Sequence, residues 1–331
     1  MTEEKKTDIT GSFSSASSTY PIKIILNDKV LSMIREKKLA PVSIALNLTN
    51  RCNLRCSFCS CDGRDRNLSL SFSQIENLIE TNRTIQSAIL TGGGEPLLCS
   101  FFSELINYLY EKKISIALVT NGLLLKRYSP SLLDQIKWTR VSLSSASDHN
   151  GCFETIQDMI NKTKKMKWSF SYVIGDDEEK DFHCIGKFYK AFYEQINHMR
   201  IVNDLFVLSN RVERLKTTFS CCADIDIDKM IFQERTDHTH GSKRCYISLL
   251  KPNITAEGFI APCCGTQYAV YGKKEDRKYN SNLILGTMEN SQQAFNVPYF
   301  DGSNCDVCYY KSYNDIIDKL INPNIEDIEF I

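Results

Sequence analysis

The chain has 331 residues, and its 40 lysines and arginines balance 40 aspartates and glutamates, so the formal net charge is zero. A balanced charge provides no global field that would favour nucleic acid or an anionic membrane as a partner. The 14 cysteines are the unusual part of the composition, because clustered cysteines in a reducing compartment are more often metal ligands or catalytic thiols than disulfides.

The amino-terminal segment predicts a disordered polar tail over residues 1–20, rich in serine and threonine and without the apolar core of a secretory signal. In residues 21–42, apolar side chains at helical spacing between Lys23 and Lys38 predict one amphipathic helix. The chain contains no apolar run near the roughly 18 to 20 residues that span a bilayer. We therefore expect a cytoplasmic protein with no membrane partner and no nucleic-acid partner.

Residues 43–208 alternate short apolar runs with stretches of helical periodicity. This alternation predicts parallel β/α units joined by right-handed crossovers. The predicted fold class is α/β, an open partial (β/α)6 barrel with ligands at the carboxyl ends of its strands. The predicted strands are residues 43–49, 86–91, 114–120, 139–144, 169–174 and 198–207.

A loop after the first predicted strand carries Cys52, Cys56 and Cys59. Thiolates at this spacing can bind three irons of a [4Fe-4S] cluster and leave the fourth iron open. A cluster with four protein thiolates only passes electrons, whereas an open iron can bind and activate a ligand. The loop therefore predicts a reaction centre.

The second predicted strand ends in a turn of three glycines, Gly92 to Gly94, followed by Glu95. Glycines let backbone groups approach a ligand without an intervening side chain. The Cys-x3-Cys-x2-Cys loop, with Phe58 before its last cysteine, together with this Gly-Gly-Glu turn resembles the radical S-adenosylmethionine (radical SAM) superfamily. The resemblance implies a partial barrel in which S-adenosylmethionine binds the open iron and is cleaved reductively to a 5'-deoxyadenosyl radical.

The resemblance also implies roles for single residues. Phe58 packs near the adenine, and the methionine amino group lies against Gly93, Gly94 and Glu95. Polar contacts to the cofactor are expected at later strand ends, from Asn121 and from the two serines Ser142 and Ser144. Ser142 is the better candidate, because many members of the family have aspartate where this chain has Ser144. Each of these strand-end residues is also an ordinary turn residue, which is the alternative interpretation.

A second group of cysteines lies in the last third of the chain, at Cys245, Cys263, Cys305 and Cys308. Four thiolates suit either a structural zinc ion or a fully ligated [4Fe-4S] cluster. The spacing, with Gly258 between the first two, resembles the twitch domain, a shortened SPASM extension of some radical SAM enzymes. The resemblance implies a small α+β domain over residues 245–310 with one auxiliary cluster, followed by a carboxyl-terminal helix and tail over 311–331.

The segment between the two domains, residues 209–244, is predicted to be a linker that covers the barrel mouth. Cys222 lies in this segment and is a candidate hydrogen-atom donor to a substrate radical. This role is inferred only from its expected position near the barrel mouth.

An auxiliary cluster favours net oxidation, because it offers an acceptor for the electron that a substrate radical must lose. The leading hypothesis is a two-electron oxidation of a sugar or aminocyclitol alcohol or of a peptide side chain, with a flavodoxin- or ferredoxin-type electron donor. The second is a redox-neutral epimerase that quenches its radical with a thiol such as Cys222. The third is a non-catalytic, zinc-bearing binding protein.

Overall fold

The computed structural model describes residues 20–146, 149–204, 211–234, 240–265, 283–305, 308 and 310–323. The chain divides into two compact units. Unit I contains Leu54–Cys59 and Pro96–Asp237, and unit II contains Pro21–Asn53, Ser60–Glu95 and His238–Ile331. The two predicted terminal tails and the end of the predicted sixth strand lie outside the described residues.

Helices and strands are numbered in chain order. The strands are β1 Ser43–Asn47, β2 Ser87–Thr91, β3 Ser115–Thr120, β4 Ile136–Ser142, β5 Lys167–Ile174, β6 Ile196–Asn203, β7 Met230–Gln233, β8 Asn253–Ile254, β9 Phe259–Ala261 and β10 Gly286–Thr287. The helices are α1 Tyr20–Ile25, α2 Asp28–Arg35, α3 Phe72–Thr81, α4 Phe102–Glu111, α5 Pro130–Leu133, α6 Leu143–Ala146, α7 Cys152–Lys162, α8 Glu178–Phe192, α9 Arg211–Ser220, α10 Ile247–Leu250, α11 Ser291–Phe295 and α12 Lys311–Ile321.

Unit I is built on five parallel strands in the order β3-β4-β5-β6-β7. One face of this sheet packs on helices: the ring of Phe170 in β5 lies 6.2 and 5.6 Å from the rings of Phe188 and Phe192 in α8. Successive residues of a strand point to opposite faces, so the neighbours of Phe170 in β5 face away from α8. The side of β5 that carries Phe170 is thus buried against α8.

The predicted linker differs from the structure, because its described part contains a helix and a strand. Helix α9 packs in unit I, and β7 pairs in parallel with β6 from Met199↔Met230 to Val202↔Gln233. The parallel run therefore continues past the six predicted strands. Strand β7 has only four residues, too few for a clear periodic pattern.

Unit II carries its own five strands in the order β10-β9-β8-β1-β2. Strand β1 pairs in parallel with β2 on one side and with β8 on the other, and β8, β9 and β10 follow one another antiparallel. The segment predicted as a separate small α+β domain therefore adds its strands to the edge of β1. Ile44, Leu46 and Leu90 are fully buried in the centre of this unit.

The amino-terminal segment forms two helices where one was predicted. The side chain of Asn27 accepts a hydrogen bond from the backbone nitrogen of Val30 at 3.2 Å, which caps α2 and ends the preceding helix. An asparagine that bonds to the backbone in this way favours a new helix start over a continuous helix. Within the described ranges, no helix is long and apolar enough to cross a bilayer.

Candidate functional site

The three predicted cluster cysteines lie in the loop that follows β1. This loop starts at Thr49, whose hydroxyl accepts from the backbone nitrogen of Arg51 at 3.0 Å. The backbone nitrogen of Cys59 donates to the carbonyl of Cys56 at 3.2 Å and closes a turn around Phe58. Cys52 belongs to unit II, whereas Cys56, Phe58 and Cys59 belong to unit I.

The three cysteines of this loop are similar in exposure. All three are half-buried, and none forms a disulfide. In the part of the chain that the structure describes, no three His, Cys, Asp or Glu side chains are grouped as ligands of one metal ion. In a cubane cluster each thiolate binds its own iron, so the ligands surround a larger volume than the ligands of one ion. The ligand roles of Cys52, Cys56 and Cys59 stay a prediction.

The glycine turn packs directly on the residues that precede Cys52. The backbone nitrogens of Gly94 and Glu95 donate to the carbonyls of Thr49 and Arg51 at 2.9 and 2.7 Å. A Cβ atom on Gly94 would lie 1.9 Å from the carbonyl oxygen of Arg51, far inside the van der Waals distance. Glycine is therefore required here by the packing of the turn on the cysteine loop.

Buried Asn50 and half-buried Glu257 form a side-chain pair that borders the same turn. The side-chain nitrogen of Asn50 donates to Glu257 Oε1 at 2.8 Å, and a Cβ atom on Gly93 would lie 2.0 Å from Asn50 Oδ1. Asn50 Oδ1 and Glu257 Oε2 are buried and have no hydrogen-bond partner. Leaving a buried acceptor unpaired costs about 1–3 kcal/mol, and more for a charged group.

Both unpaired atoms are acceptors, so the group that fits beside them is a donor, and a cationic ammonium fits best. The methionine amino group that the resemblance places at Gly93, Gly94 and Glu95 is such a donor. The residues present therefore fit S-adenosylmethionine on this point. Glu257 was not predicted from the sequence; the available signal was an acidic residue directly before Gly258, within the second cysteine pattern.

Two of the predicted cofactor contacts in unit I satisfy local backbone groups. The side-chain oxygen of Asn121 accepts from the backbone nitrogen of Leu123 at 3.1 Å, and the hydroxyl of Ser144 accepts from that of Val173 at 3.1 Å. Ser142 instead bonds the hydroxyl of Ser145 at 3.0 Å and stays half-exposed at the end of β4. Ser142 remains the better placed of the two serines, and the cofactor roles of all three residues stay predictions.

The carboxyl end of β5 is fixed by a buried carboxylate that was not predicted from the sequence. Asp181 accepts from the hydroxyl of Tyr172 at 3.0 Å and from the backbone nitrogen of Gly175 at 2.8 Å. Arg211 lies 3.8 Å from the same carboxylate. Burial raises the pKa of Asp181, and the hydrogen bonds from Gly175 and Tyr172 oppose that increase. The network holds the turn between β5 and α8 in place.

Cys222 lies just after α9, and its thiol donates to the carbonyl of Thr218 at 3.3 Å. In a parallel β/α unit, the end of a helix lies near the start of the strand that follows, here β7. The predicted cofactor contacts lie at the opposite, carboxyl ends of the strands. This position therefore does not favour the predicted hydrogen-donor role of Cys222.

The second group of cysteines lies in unit II, where the thiols of Cys245, Cys263 and Cys308 are near enough to influence one another's pKa. Burial raises the pKa of Cys263, and the neighbouring thiols of Cys264, Cys245 and Cys308 add to the increase. Burial also raises the pKa of Cys245 to about 11. Buried thiols of this kind carry negative charge only when a cation compensates it, which suits metal ligands.

Backbone pairing and α12 position these cysteines. Cys245 exchanges both backbone hydrogen bonds with Phe300, at 2.8 and 3.1 Å, and the carbonyl of Cys305 accepts from Gly241 at 2.8 Å. The buried side chain of Asn314 in α12 accepts from the backbone nitrogen of Tyr246 at 2.6 Å. Cys245 and Cys305 thus belong to one hydrogen-bonded region, and the metal that the four cysteines would bind, iron or zinc, stays a prediction.

Residues 46–180 match the family model described as the Radical SAM superfamily. The match includes the three-cysteine loop, the glycine turn and the ends of β3 to β5. It ends before the second group of cysteines.

Two curated relatives share this part of the chain. A probable GTP 3',8-cyclase from Methanococcus maripaludis is 34% identical over 100 residues, 28% of this chain and 32% of its own length. An S-adenosylmethionine-dependent nucleotide dehydratase from Selenomonas ruminantium is 29% identical over 107 residues, 31% of this chain and 39% of its own length. The chain thus spans well under half the length of these relatives.

Among solved structures, Streptococcus suis SuiB bound to S-adenosylmethionine matches with a TM-score of 0.55 and 16% identity. The match covers 88% of this chain and 75% of SuiB. At this identity the likeness concerns the fold alone, and it confirms the predicted α/β partial barrel.

Proposed function

We propose that this chain, whose residues 46–180 match the Radical SAM superfamily model, is an enzyme that cleaves S-adenosylmethionine and abstracts a hydrogen atom from a substrate. The observation that carries the proposal is that one family match includes both the three-cysteine loop and the glycine turn packed on it. When bound, the open-iron cluster and S-adenosylmethionine supply a 5'-deoxyadenosyl radical, and a fully ligated second cluster supplies a one-electron acceptor.

The residues of unit II around the glycine turn bind and orient the cofactor in this proposal. The backbone bonds from Gly94 and Glu95 fix the turn on the cysteine loop. Asn50 Oδ1 and Glu257 Oε2 accept hydrogen bonds from the methionine ammonium, which removes the cost of two unpaired buried acceptors. Cys52, Cys56 and Cys59 would hold the cluster.

We further propose a two-electron oxidation, of a sugar-like or aminocyclitol alcohol or of a peptide side chain. The support is the electrostatic proximity of the thiols of Cys245, Cys263 and Cys308, with Cys305 in the same hydrogen-bonded region as Cys245. Four cysteine ligands leave a cluster no open iron, which suits electron transfer rather than substrate activation. A flavodoxin- or ferredoxin-type protein would supply the first electron.

A second candidate is radical chemistry on a nucleotide. It is favoured by the two relatives, whose names refer to GTP and to a nucleotide. Their matched segments lie within 32 to 39% of their own lengths, so the substrate of this chain needs its own test.

The first experiment compares the parent chain with a variant in which Cys52, Cys56 and Cys59 are alanine, after anaerobic reconstitution. We expect about eight irons in the parent and about four in the variant. Reduction with dithionite should yield 5'-deoxyadenosine from the parent only. A Cys221→Ser variant, which changes an exposed thiol, serves as the control and should match the parent.

Other outcomes contradict specific parts of the proposal. If the parent bound about four irons and the triple-alanine variant none, while both retained one zinc, the second site would be a structural zinc site. This result would favour the redox-neutral epimerase. Deuterium uptake from heavy water into the product would also favour the redox-neutral epimerase. Zinc without iron and without 5'-deoxyadenosine would support the non-catalytic binding protein.

A further inference from the structure

Gly241 and Gly302 lie where two segments of unit II pair along their backbones. The backbone nitrogen of Gly241 donates to the carbonyl of Cys305 at 2.8 Å, and the backbone nitrogen of Gly302 donates to the carbonyl of Ser242 at 3.1 Å. These bonds belong to the same pairing as the antiparallel bridge at Cys245. We call Gly241 and Gly302 the glycine pair.

Neither member of the glycine pair has room for a side chain. A Cβ atom on Gly241 would lie 2.1 Å from the carbonyl oxygen of Gly302 and 2.8 Å from the Cβ atom of Cys305. A Cβ atom on Gly302 would lie 2.6 Å from the carbonyl oxygen of Ser242 and 3.4 Å from the Cβ atom of Cys245. The nearest atoms are backbone oxygens, which cannot rotate away as the end of a flexible side chain can. Each glycine is thus packed tightly against the other segment and close to one predicted ligand.

A single helical turn, Gly302–Asn304, connects the glycine pair to Cys305. Asp301 caps the start of this turn, because its side chain accepts a hydrogen bond from a backbone nitrogen of the turn at 3.0 Å. At the end of the turn, the backbone nitrogen of Cys305 donates to the carbonyl of Gly302 at 2.9 Å. The buried Gly302 therefore borders both the turn that carries Cys305 and the side chain of Cys245.

Metal binding depends on the spacing of the two cysteines that this packing controls. Distances in a metal site fall within about 0.2 Å of their ideal values, so the thiolates must be held close to their final positions. Non-bonded carbon atoms pack at about 3.5–4.0 Å, so a methyl group at either glycine would move the paired backbones apart by about 1 Å. A shift of that size exceeds the variation that metal–ligand distances allow. The absence of a side chain at both positions therefore suits a site in which Cys245 and Cys305 bind together.

We propose that the glycine pair, with the turn capped by Asp301, positions Cys245 and Cys305 as ligands of one metal centre. These three residues act through the two cysteines and contribute no ligand themselves. The inference rests on the part of the proposed function that assigns a metal to the second group of cysteines. It holds for iron and for zinc alike, so it does not depend on the proposed oxidation.

The test uses the full chain with Cys52, Cys56 and Cys59 replaced by alanine, so that bound metal reports the second group of cysteines alone. Iron and zinc are measured after anaerobic reconstitution, and metal affinity is measured by competition with a chelator. Gly241→Ala and Gly302→Ala should each lower the metal affinity of this background by about tenfold or more, as is typical when a residue that orients metal ligands is changed. Circular dichroism and denaturant unfolding verify that each variant is folded.

The matched control is Gly286→Ala in the same unit and the same background. Its Cβ atom would lie 2.7 Å from Asn290 Oδ1 and 2.9 Å from the Cβ atom of Ala294, and no cysteine is among its three nearest neighbours. The control is therefore crowded as well, yet it should bind metal like the background. Asp301→Ala is a second variant, which adds no atoms and only removes the cap of the turn at an exposed residue. It should fold even if the other variants do not, and its metal affinity should fall severalfold.

The outcomes separate the positioning role from the proposed function. Unchanged metal affinity in Asp301→Ala and in the folded variants of the glycine pair would overturn the inference, as would an equal loss in Gly286→Ala. A background protein that binds neither iron nor zinc would reject the second metal site itself and the inference with it. Zinc that is bound by the background and lost in the variants of the glycine pair would support the positioning role and reject the proposed oxidation.

Discussion

Asn50 and Glu257 are 207 positions apart in the chain, yet the side-chain amide of Asn50 donates to the carboxylate of Glu257 at 2.8 Å. Asn50 lies two residues before the first cluster cysteine, and Glu257 lies in the β8–β9 hairpin next to Gly258. The pair therefore connects, within unit II, the entrance of the cysteine loop to the segment that carries the second group of cysteines. The two unpaired oxygens of this pair indicate that a cationic ligand group binds beside it.

Glu257→Gln should weaken binding of S-adenosylmethionine to the reconstituted protein by about tenfold, because a hydrogen bond to a charged group contributes roughly 1.5–3 kcal/mol. Equilibrium dialysis with labelled cofactor measures the change. The control, Glu289→Gln, alters an exposed carboxylate of the same unit and should bind like the parent. An unchanged affinity in Glu257→Gln would remove this residue from the cofactor site.

Gly94→Ala should disrupt the glycine turn, since its Cβ atom would lie 1.9 Å from the carbonyl oxygen of Arg51. Forcing a methyl group into such packing typically costs about 1–3 kcal/mol. We expect a lower unfolding free energy in denaturant titrations and a loss of cofactor binding. Gly186→Ala in α8 is the matched control, because the nearest atom to its Cβ, Phe219 Cε1, is 3.9 Å away.

The control substitution, Gly186→Ala, should change the unfolding free energy in the opposite direction. Replacing a helical glycine that has room for a methyl group should raise the unfolding free energy by about 0.5–1 kcal/mol. Equal effects of the two alanine substitutions would show that the glycine turn has no special packing requirement.

Asn314→Ala should weaken metal binding at the second group of cysteines. The substitution leaves the buried backbone nitrogen of Tyr246 without its acceptor, which costs about 1–3 kcal/mol, directly beside Cys245. In a background where Cys52, Cys56 and Cys59 are alanine, iron or zinc content reports this site alone and should fall. Asn322→Ala, on the exposed end of the same helix region, should retain the metal; equal loss in both variants would contradict the assignment.

The stability of unit I should respond to pH through Asp181. Burial raises its pKa above the ordinary value of 3.8, so between that value and the raised one the folded state holds a proton that the unfolded state has released. Stability from this group is therefore lost as pH rises through that window. The unfolding free energy of Asp181→Asn minus that of the parent should accordingly increase with pH there and then level off.

Tyr172→Phe independently tests the direction of this pH dependence of stability. The hydrogen bond from Tyr172 lowers the pKa of Asp181, so its removal should raise that pKa further and widen the window toward higher pH. Denaturant unfolding at a series of pH values measures both effects. If the unfolding free energies of Asp181→Asn and Tyr172→Phe depended on pH in the same way as that of the parent, both expectations would be contradicted.

The sequence could predict features whose signals are contiguous. The cysteine loop, the glycine turn and the alternation of strands and helices each lie within short stretches, and the predicted strands overlap β1 to β6. Asn50 with Glu257, and Asp181 with Arg211, could not be predicted, because each pairing depends on contacts between distant positions. Strand β7 was missed because four residues give too little periodicity.

Strand β8 belongs to the region of the second group of cysteines, and it stabilises β1, the strand that precedes the three-cysteine loop. It covers the β1 edge, with Ala45 beside Asn253 and Leu46 beside Ile254. A fragment that ends before residue 245 would leave that apolar strand with an open row of amides and carbonyls, the feature that drives edge-to-edge aggregation. The two groups of cysteines are therefore not on separable modules: a shortened protein designed to carry only Cys52, Cys56 and Cys59 would need a new cover for β1 before its iron content could be interpreted.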